Sequence, residues 1–277
     1  MFKGYNLELS KNESQRFLNV NDEQIAMLDA ENEELKNSIQ KNLNGKVMLQ
    51  KNKDNQIDGS KLINDWFPNY KADVFISHSH NDARTAKRLA VWLSENFGLT
   101  SFIDSIIWGS ANDLLKKIDE QYSILHKTED NTTYNYDIRN YTTSHVHMML
   151  STAISDIIYS TECVIFLNTP ESLSVNEAKE KKTNSPWIYS ELKIASIIEK
   201  IYPRKQLVQE KRSLAIYNEI QKDLDITYSV NNQLAKFENL NAEMLEDWSA
   251  RYSNNPNMLH PLDLLYFNTA KNKGASQ

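Results

Sequence analysis

Residues 73–104 read DVFISHSHNDARTAKRLAVWLSENFGLTSFID, and this stretch decides the fold class. It begins with a short apolar run at 73–77 that is rich in strand formers and is followed by a polar segment. Apolar residues then return every three or four positions up to Phe97, and Gly98 stands where a left-handed helix cap belongs. A second short strand follows at 101–104. A strand, a helix and a strand in this order predict a β-α-β unit, and therefore a parallel sheet covered by helices.

The same alternation resumes downstream. Residues 145–161 have helical periodicity and lead into an apolar strand at 163–167, which begins with the single cysteine, Cys163. A polar loop at 168–184 comes next, and Ser185 and Pro186 supply the cap and the first residue of a new helix. The remaining pattern is weaker, and it predicts a helix at 209–224, a strand at 225–230 and a final helix at 242–251.

Two polar regions lie outside this alternation. Residues 1–70 contain one helical pattern at 23–40 and a short amphipathic segment at 60–67, so we expect a partly helical N-terminal extension. Residues 105–144 are too long and too polar for an ordinary connection, and we expect an insertion or a functional loop. The resulting division is an extension at 1–70, an α/β domain at 71–252 with the insertion at 105–144, and a tail at 253–277.

Composition excludes several classes of protein. The chain has six glycines, and no two are closer than eleven residues, which rules out the glycine-rich phosphate loops of ATPases, kinases and dehydrogenases. The lone Cys163 forbids an intrachain disulfide and favours a reducing cytoplasm. No apolar run approaches the roughly 18 residues that span a bilayer, and no secretory signal opens the sequence. A net charge of −6 with dispersed cations argues against nucleic acid as the main partner.

One carboxylate lies in an unexpected position. On a helical wheel that starts at Pro186, Glu191 falls inside the apolar arc. A carboxylate removed from water without a partner costs several kcal/mol or becomes neutral. Glu191 is therefore either a satisfied salt bridge, a residue at the rim of the arc, or a group that binds a ligand or takes part in catalysis. Its helix can face the carboxyl edge of a parallel sheet, where such folds bind ligands.

Together these segments resemble the Toll/interleukin-1 receptor (TIR) domain, and more particularly the stand-alone bacterial TIR proteins of Thoeris-like anti-phage defence. The resemblance covers residues 71–201. Its marks are the strands at 73–77, 101–104 and 163–167, Asp82 at the start of the first helix, and the sequence SPWIYSEL at 185–192. The last is the most specific, because enzymatic members of the family have a Trp four residues before the catalytic Glu, as Trp187 and Glu191 are here.

The resemblance implies a flavodoxin-like fold with a five-stranded parallel sheet, and an enzyme that cleaves NAD⁺ at the nicotinamide–ribose bond. NAD⁺ is then the substrate, and no further cofactor is needed. Glu191 is the expected catalytic residue, and the products are nicotinamide with ADP-ribose or a cyclic isomer that signals to a separate effector. Self-association through TIR surfaces is also expected. The expected substrate-binding residues are Ser77, His78, Asp104, Trp108 and Trp187.

Alternatives remain open at this point. Some family members are adaptors without activity, so the chain is alternatively a non-catalytic interaction module in which Glu191 forms a buried salt bridge. A hydrolase of related fold that acts on other nucleotides is a third interpretation. Two H-x-H pairs, His78 with His80 and His145 with His147, suggest metal binding, but neither has an evident third ligand. We expect no metal.

Overall fold

The computed structural model describes residues 1–10, 12–14, 20–44, 57–67, 71–103, 105–128, 131–175, 180–201, 227–254, 256 and 259–274. The strands are β1 (Lys3–Glu8), β2 (Val74–Ser77), β3 (Ser101–Ile103), β4 (Ile124–Lys127), β5 (Thr132–Tyr134), β6 (Cys163–Asn168), β7 (Ser174–Val175), β8 (Lys181–Thr183), β9 (Tyr228–Ser229) and β10 (Glu238–Leu240). The α-helices are α1 (Asp22–Asn44), α2 (Gly59–Trp66), α3 (Ala83–Phe97), α4 (Ser105–Ile118), α5 (Tyr136–Ser160), α6 (Pro186–Ile197), α7 (Asn231–Leu234), α8 (Ala242–Asn254) and α9 (Pro261–Gly274).

A five-stranded sheet forms the centre of the first of two compact units, which comprises Met1–Ile25, Lys71–Ile103 and Ile158–Gln277. Its strand order is β10-β1-β6-β2-β3, and every neighbouring pair is parallel. Helices flank the sheet, so the protein is α/β, as predicted, and its architecture is compatible with a flavodoxin-like fold. The β-α-β prediction is confirmed, because β2, α3 and β3 follow one another and β2 pairs with β3.

Local sequence signals explain the ends of these elements. All four residues of β2 are buried, as expected for a strand inside a parallel sheet. Helix α3 ends at Gly98, whose φ of 66° is a left-handed cap that a residue with a Cβ adopts only with strain. Ser185 accepts a hydrogen bond from the Ile188 amide at 3.3 Å, which confirms it as the cap of α6.

The first strand requires a correction to the predicted division of the chain. Residues 3–8 do not belong to an extension outside the sheet, because β1 lies between β6 and β10 and pairs with both. Tyr5 and Leu7 in this strand are fully buried. A Cβ on Gly4 would lie 3.0 Å from the ring of Phe237, so the glycine permits a close approach. The fourth position of the sheet, counted from β3, is therefore filled by the first strand of the chain.

The predicted tail at 253–277 contains a further helix. Helix α8 confirms the expected helix at 242–251, and α9, which follows it, packs into the same unit. The Tyr5 hydroxyl lies 3.0 Å from Thr269 Oγ1 in α9, and Leu262 is fully buried. Trp248 donates its indole N–H to the Pro261 carbonyl at 2.8 Å and stacks on Phe97 at a ring separation of 3.8 Å.

The second compact unit comprises Ala26–Tyr70 and Asp104–Ile157. Of the two alternatives for residues 105–144, the loop is wrong, because α4, a π-helical turn at Asp119–Ser123, the antiparallel β4–β5 hairpin and the first part of α5 lie in this range. The buried carboxylate of Asp119 accepts hydrogen bonds from Ser123, Arg139 and Thr142 at 2.8–3.1 Å. These hydrogen bonds join the π-helical turn that follows α4 to α5.

Several other predictions differ from the structure or fall outside it. Helix α5 begins nine residues before the predicted start at 145, and the loop at 168–184 contains β7 and β8, which form a small antiparallel sheet with β9. The helix predicted at 209–224 lies outside the described residues, and so does part of the strand predicted at 225–230. Among the helices that the structure describes, none combines the length and the apolar character needed to cross a bilayer.

Candidate functional site

The strand order of the central sheet switches between β2 and β6. From β2 the chain continues to β3 on one side, whereas from β6 it continues to β10 on the other side. The connections that leave these two neighbouring strands therefore diverge, and α/β proteins bind ligands at the carboxyl edge beside such a switch. Ser77 is the last residue of β2 and is followed by His78, and Asn168 is the last residue of β6 and is followed by Thr169.

Glu191 reaches this edge from α6. It is only 1% exposed, and its helix also buries Ile188, Leu192 and Ala195. The Ser77 hydroxyl donates a hydrogen bond to Glu191 Oε2 at 2.6 Å, and Ser77 itself is fully buried. A carboxylate with little access to water is stabilised by such a bond more than it would be at the surface, because the local dielectric constant is low. The prediction that Glu191 lies on the buried side of α6 is confirmed, and its burial excludes a position at the rim of the arc.

This bond gives Ser77 a specific partner. We expected Ser77 to bind substrate. In the structure its hydroxyl donates a hydrogen bond to the carboxylate of Glu191, which is 114 positions away in the sequence. Strand β2 and helix α6 are thus joined through the two side chains that the sequence singled out. The bond fixes the position of one oxygen of Glu191 at the sheet edge.

The structure describes some of the other expected site residues fully and others only in part. His78 follows Ser77 and is buried, with its ring Nδ1 3.4 Å from the Ile76 carbonyl oxygen. Trp187 lies one turn before Glu191 on α6 and is partly exposed. Asp104 lies outside the described residues. Trp108 belongs to α4, but only its backbone is described. Trp108 is therefore a helical residue and does not belong to an open loop.

Sequence analysis missed a second polar link at the same edge. Asp82 precedes α3 at its N-cap position, as the sequence placed it, but its side chain makes no capping hydrogen bond there. Its Oδ2 accepts hydrogen bonds instead from Ser79 at 2.7 Å and from Thr169 at 2.6 Å. Asp82 therefore connects the loop after β2 to the loop after β6. Nothing in the local sequence distinguishes this role from capping, because the partner Thr169 is 87 positions away.

A third polar network follows along the edge at the end of β1. Glu8 accepts hydrogen bonds from Asn6, Asn168 and Lys181 at 2.8–3.1 Å, and the contact with Lys181 is an ion pair. Partial burial favours the neutral acid, but the hydrogen bonds from Lys181 and Asn6 and the charge of Lys181 outweigh it, so the pKa of Glu8 lies below its ordinary value of 4.5.

This network predicts a pH dependence of stability. A depressed pKa means that charged Glu8 stabilises the fold above pH 4.5 and that the contribution is lost as pH falls through the folded-state value. Glu8→Gln should therefore unfold at a lower urea concentration than the wild type at pH 7, and the two proteins should converge near pH 3. Urea titrations at several pH values measure this. A difference that stays constant from pH 7 to pH 3 would contradict it.

The remaining candidate groups have a clear placement. Cys163 is fully buried at the start of β6, and burial raises the pKa of its thiol, which disfavours the reactive thiolate. His145 is exposed on α5, where an H-x-H pair diverges around the helix. Within the described ranges, no three His, Cys, Asp or Glu side chains are grouped closely enough to hold a metal ion.

Comparisons with known proteins return no relative of this chain: no family model, curated protein or solved structure matches it.

Proposed function

We propose that this chain is an NAD⁺ glycohydrolase or cyclase of the TIR type, with Glu191 as its catalytic residue. The observation that carries the proposal is the buried Glu191 carboxylate at the carboxyl edge of the parallel sheet, hydrogen-bonded to Ser77 at 2.6 Å. The Trp187 and Glu191 spacing and the strand sequences that resemble TIR domains support the same function. The five-stranded parallel sheet is compatible with it.

The chemistry suits one buried carboxylate. When the bond between nicotinamide and the ribose C1′ breaks, its electron pair goes to the pyridinium nitrogen and nicotinamide leaves as a neutral molecule. Positive charge then develops on the ribose ring, as in other glycoside cleavages. Glu191 stabilises this cation, and the interaction is strong because water is scarce around a side chain that is 1% exposed. Water that attacks C1′ and loses a proton gives ADP-ribose, whereas attack by a nitrogen of the adenine gives a cyclic isomer.

The cellular role follows from the same resemblance. In this proposal the enzyme acts in the cytoplasm during anti-phage defence, either by depleting NAD⁺ or by producing a nucleotide signal for a separate effector. Nucleic acid and membrane are not partners in it.

Incubation of the full-length protein with NAD⁺ tests the proposal, with nicotinamide release measured by chromatography. The reaction is run with the protein alone and with lysate from phage-infected cells, because assembly or a trigger can control such enzymes. Release of nicotinamide together with ADP-ribose or its cyclic isomer supports the proposal. If no nicotinamide appears under either condition, the alternative of a non-catalytic interaction module is favoured. Turnover of a different nucleotide would favour the third interpretation.

The Ser77 hydroxyl provides a sharper prediction about the site. If it positions Glu191, Ser77→Ala should lower kcat by about 10- to 100-fold, because a hydrogen bond to a charged group contributes roughly 1.5–3 kcal/mol. The KM for NAD⁺ should change little. If Ser77 contacted the substrate directly, as the sequence suggested, KM would rise and kcat would be largely kept. Steady-state kinetics over a range of NAD⁺ concentrations separates the two cases.

Ser79→Ala is the matched control for that experiment. Ser79 lies two residues further along the chain, is also buried, and donates its hydroxyl to Asp82 instead of Glu191. The Ser79→Ala substitution removes the same hydroxyl oxygen from the same segment without touching the catalytic carboxylate. We expect kcat of Ser79→Ala to stay within a few-fold of the wild type. An equal loss of kcat in both variants would show that the segment as a whole, and not the bond to Glu191, sets the rate.

A further inference from the structure

Helix α5 carries an exposed stripe that the proposed activity does not use. Its members recur at alternating spacings of three and four, so they lie along one line of the helix, as the a and d positions of a coiled coil do. The stripe covers about 26 Å of helix at 1.5 Å per residue. We call the following residues the α5 stripe: Ile138, Tyr141, His145, Met148, Thr152 and Ser155.

The large side chains of the stripe are strongly exposed. Tyr141 and Met148 are each 66% exposed and Ile138 is 39% exposed, while the opposite side of the helix buries Val146, Leu150 and other core residues. Of the eleven exposed large hydrophobic side chains among the described residues, five lie within residues 125–148. The apolar surface of the second unit is therefore concentrated on and beside α5, and such concentration is typical of an interaction surface.

The stripe also lacks charge. From residue 140 to residue 155 the sequence has no Lys, Arg, Asp or Glu, although a quarter of the chain is charged and its net charge is −6. Depletion of charged residues marks the centre of protein interfaces. A surface without charge cannot select a partner by opposite charge, but it can meet an identical surface without the repulsion that most faces of an acidic chain would produce.

Side-chain size along the stripe fits a second copy in antiparallel orientation. A two-fold axis through the middle of the stripe places residues at equal distances from the middle opposite one another. Tyr141 of one copy then faces Thr152 of the other, Ile138 faces Ser155, and His145 faces Met148. The large Tyr141 and Ile138 thus meet the small Thr152 and Ser155, and only the central pair joins two large side chains. Complementary sizes are what close helix packing requires. A parallel pair would bring Tyr141 against Tyr141 and Thr152 against Thr152.

We infer that the α5 stripe is a homodimer interface in which two copies of α5 pack antiparallel. One helix stripe buries on the order of 400 Å² per copy, which is below the standard interface size of about 800 Å² per partner. The dimer is accordingly weak and forms at micromolar or higher concentration. This inference does not depend on the NAD⁺ activity, because the stripe contains none of the site residues.

Sedimentation velocity of the full-length protein tests the dimer. The average mass should rise toward twice the monomer value as concentration increases from about 1 to 200 μM. Met148→Glu should raise the dissociation constant at least 10-fold, since it places two carboxylates in an apolar contact. Asn140→Glu adds the same charge to the same helix, about 100° away from Tyr141 around the helix axis. It should change the dissociation constant less than 3-fold. A monomer at every concentration, or equal effects of both variants, would overturn the inference.

Disulfide trapping tests the antiparallel register independently of any loss of stability. Cys163 is fully buried, so an introduced cysteine is the reactive thiol. When Ile138→Cys and isotope-labelled Ser155→Cys proteins are mixed and oxidised, the mixed dimer should form at least 5-fold faster than either pure dimer. Asn140→Cys mixed with Ser155→Cys should show no such preference. Faster formation of the pure Ile138→Cys dimer would indicate a parallel pair and would reject the proposed arrangement.

Discussion

Glu191→Gln is expected to lower nicotinamide release by about 10²–10³-fold, because removal of one preorganised electrostatic contact to the transition state has effects of this size. The amide keeps the size and shape of the carboxylate, but it carries no charge to stabilise the ribose cation. The KM for NAD⁺ should change less than kcat, since the contact strengthens only as positive charge develops. Initial rates of nicotinamide release, measured at several NAD⁺ concentrations under activating conditions, give both parameters.

Two controls separate chemistry from folding in this experiment. The amide oxygen that Glu191→Gln introduces can still accept the hydrogen bond from Ser77, so this variant should have a thermal midpoint close to that of the wild type. Glu199→Gln makes the same chemical change at an exposed position beyond the end of α6 and should leave kcat unchanged. Nicotinamide release that persists in Glu191→Gln at the wild-type rate would remove Glu191 from the catalytic role and would leave its burial as a structural feature.

The sequence predicts the elements whose signals are local. The strand, helix and strand from β2 to β3 have strong periodicity and a glycine cap, and the start of α6 is indicated by Ser185 and Pro186. Strand β1 escapes prediction because its signal is not local. Asn6 interrupts the apolar residues, and only the fold shows that its amide meets Asn239 of β10 at 3.3 Å while its backbone pairs with β6. A short strand with a buried polar residue in its centre resembles a loop when it is considered in isolation.

In the site, too, local signals can be predicted from the sequence and long-range contacts cannot. The apolar arc of α6 identifies Glu191, although the apolar Ile197 at the end of this helix is 61% exposed, so the buried side of α6 is narrower than the wheel indicates. The partner of Glu191 is not predictable from spacing, because Ser77 is 114 positions away and any polar residue at the edge could have served. Long-range hydrogen bonds follow from strand order, and strand order here depends on the position of β1.

At the carboxyl edge of the sheet, the scarcity of glycine excludes one way of binding a dinucleotide. Gly98 is the glycine with positive φ among the described residues, and it ends a helix that leads into β3, at the amino edge of the sheet. The loops that follow β2 and β6 at the carboxyl edge read HSHND and TPESL and contain none. A glycine turn for the diphosphate of a reusable redox cofactor is therefore missing from both loops. Consumption of NAD⁺ through one carboxylate beside the ribose does not need that turn.

Leu7→Ala is expected to lower the free energy of unfolding by about 2–5 kcal/mol, as is usual for a large-to-small change in a protein core. The reason is that β1 is an interior strand of the sheet. Leu7 is fully buried, and its strand pairs with β6 on one side and β10 on the other, so the cavity opens inside the sheet, where neighbouring elements cannot collapse into it. Urea unfolding followed by circular dichroism measures the change.

Met27→Ala is the matched control, because it shortens a side chain of similar volume in the same N-terminal part of the sequence. Met27 lies on α1 and is 61% exposed, so its truncation should change the free energy of unfolding by less than about 0.5 kcal/mol. If residues 1–70 were an extension outside the α/β core, the two substitutions would have equally small effects. A large loss for Leu7→Ala beside a negligible one for Met27→Ala instead places the first strand of the chain among the elements on which the whole sheet depends.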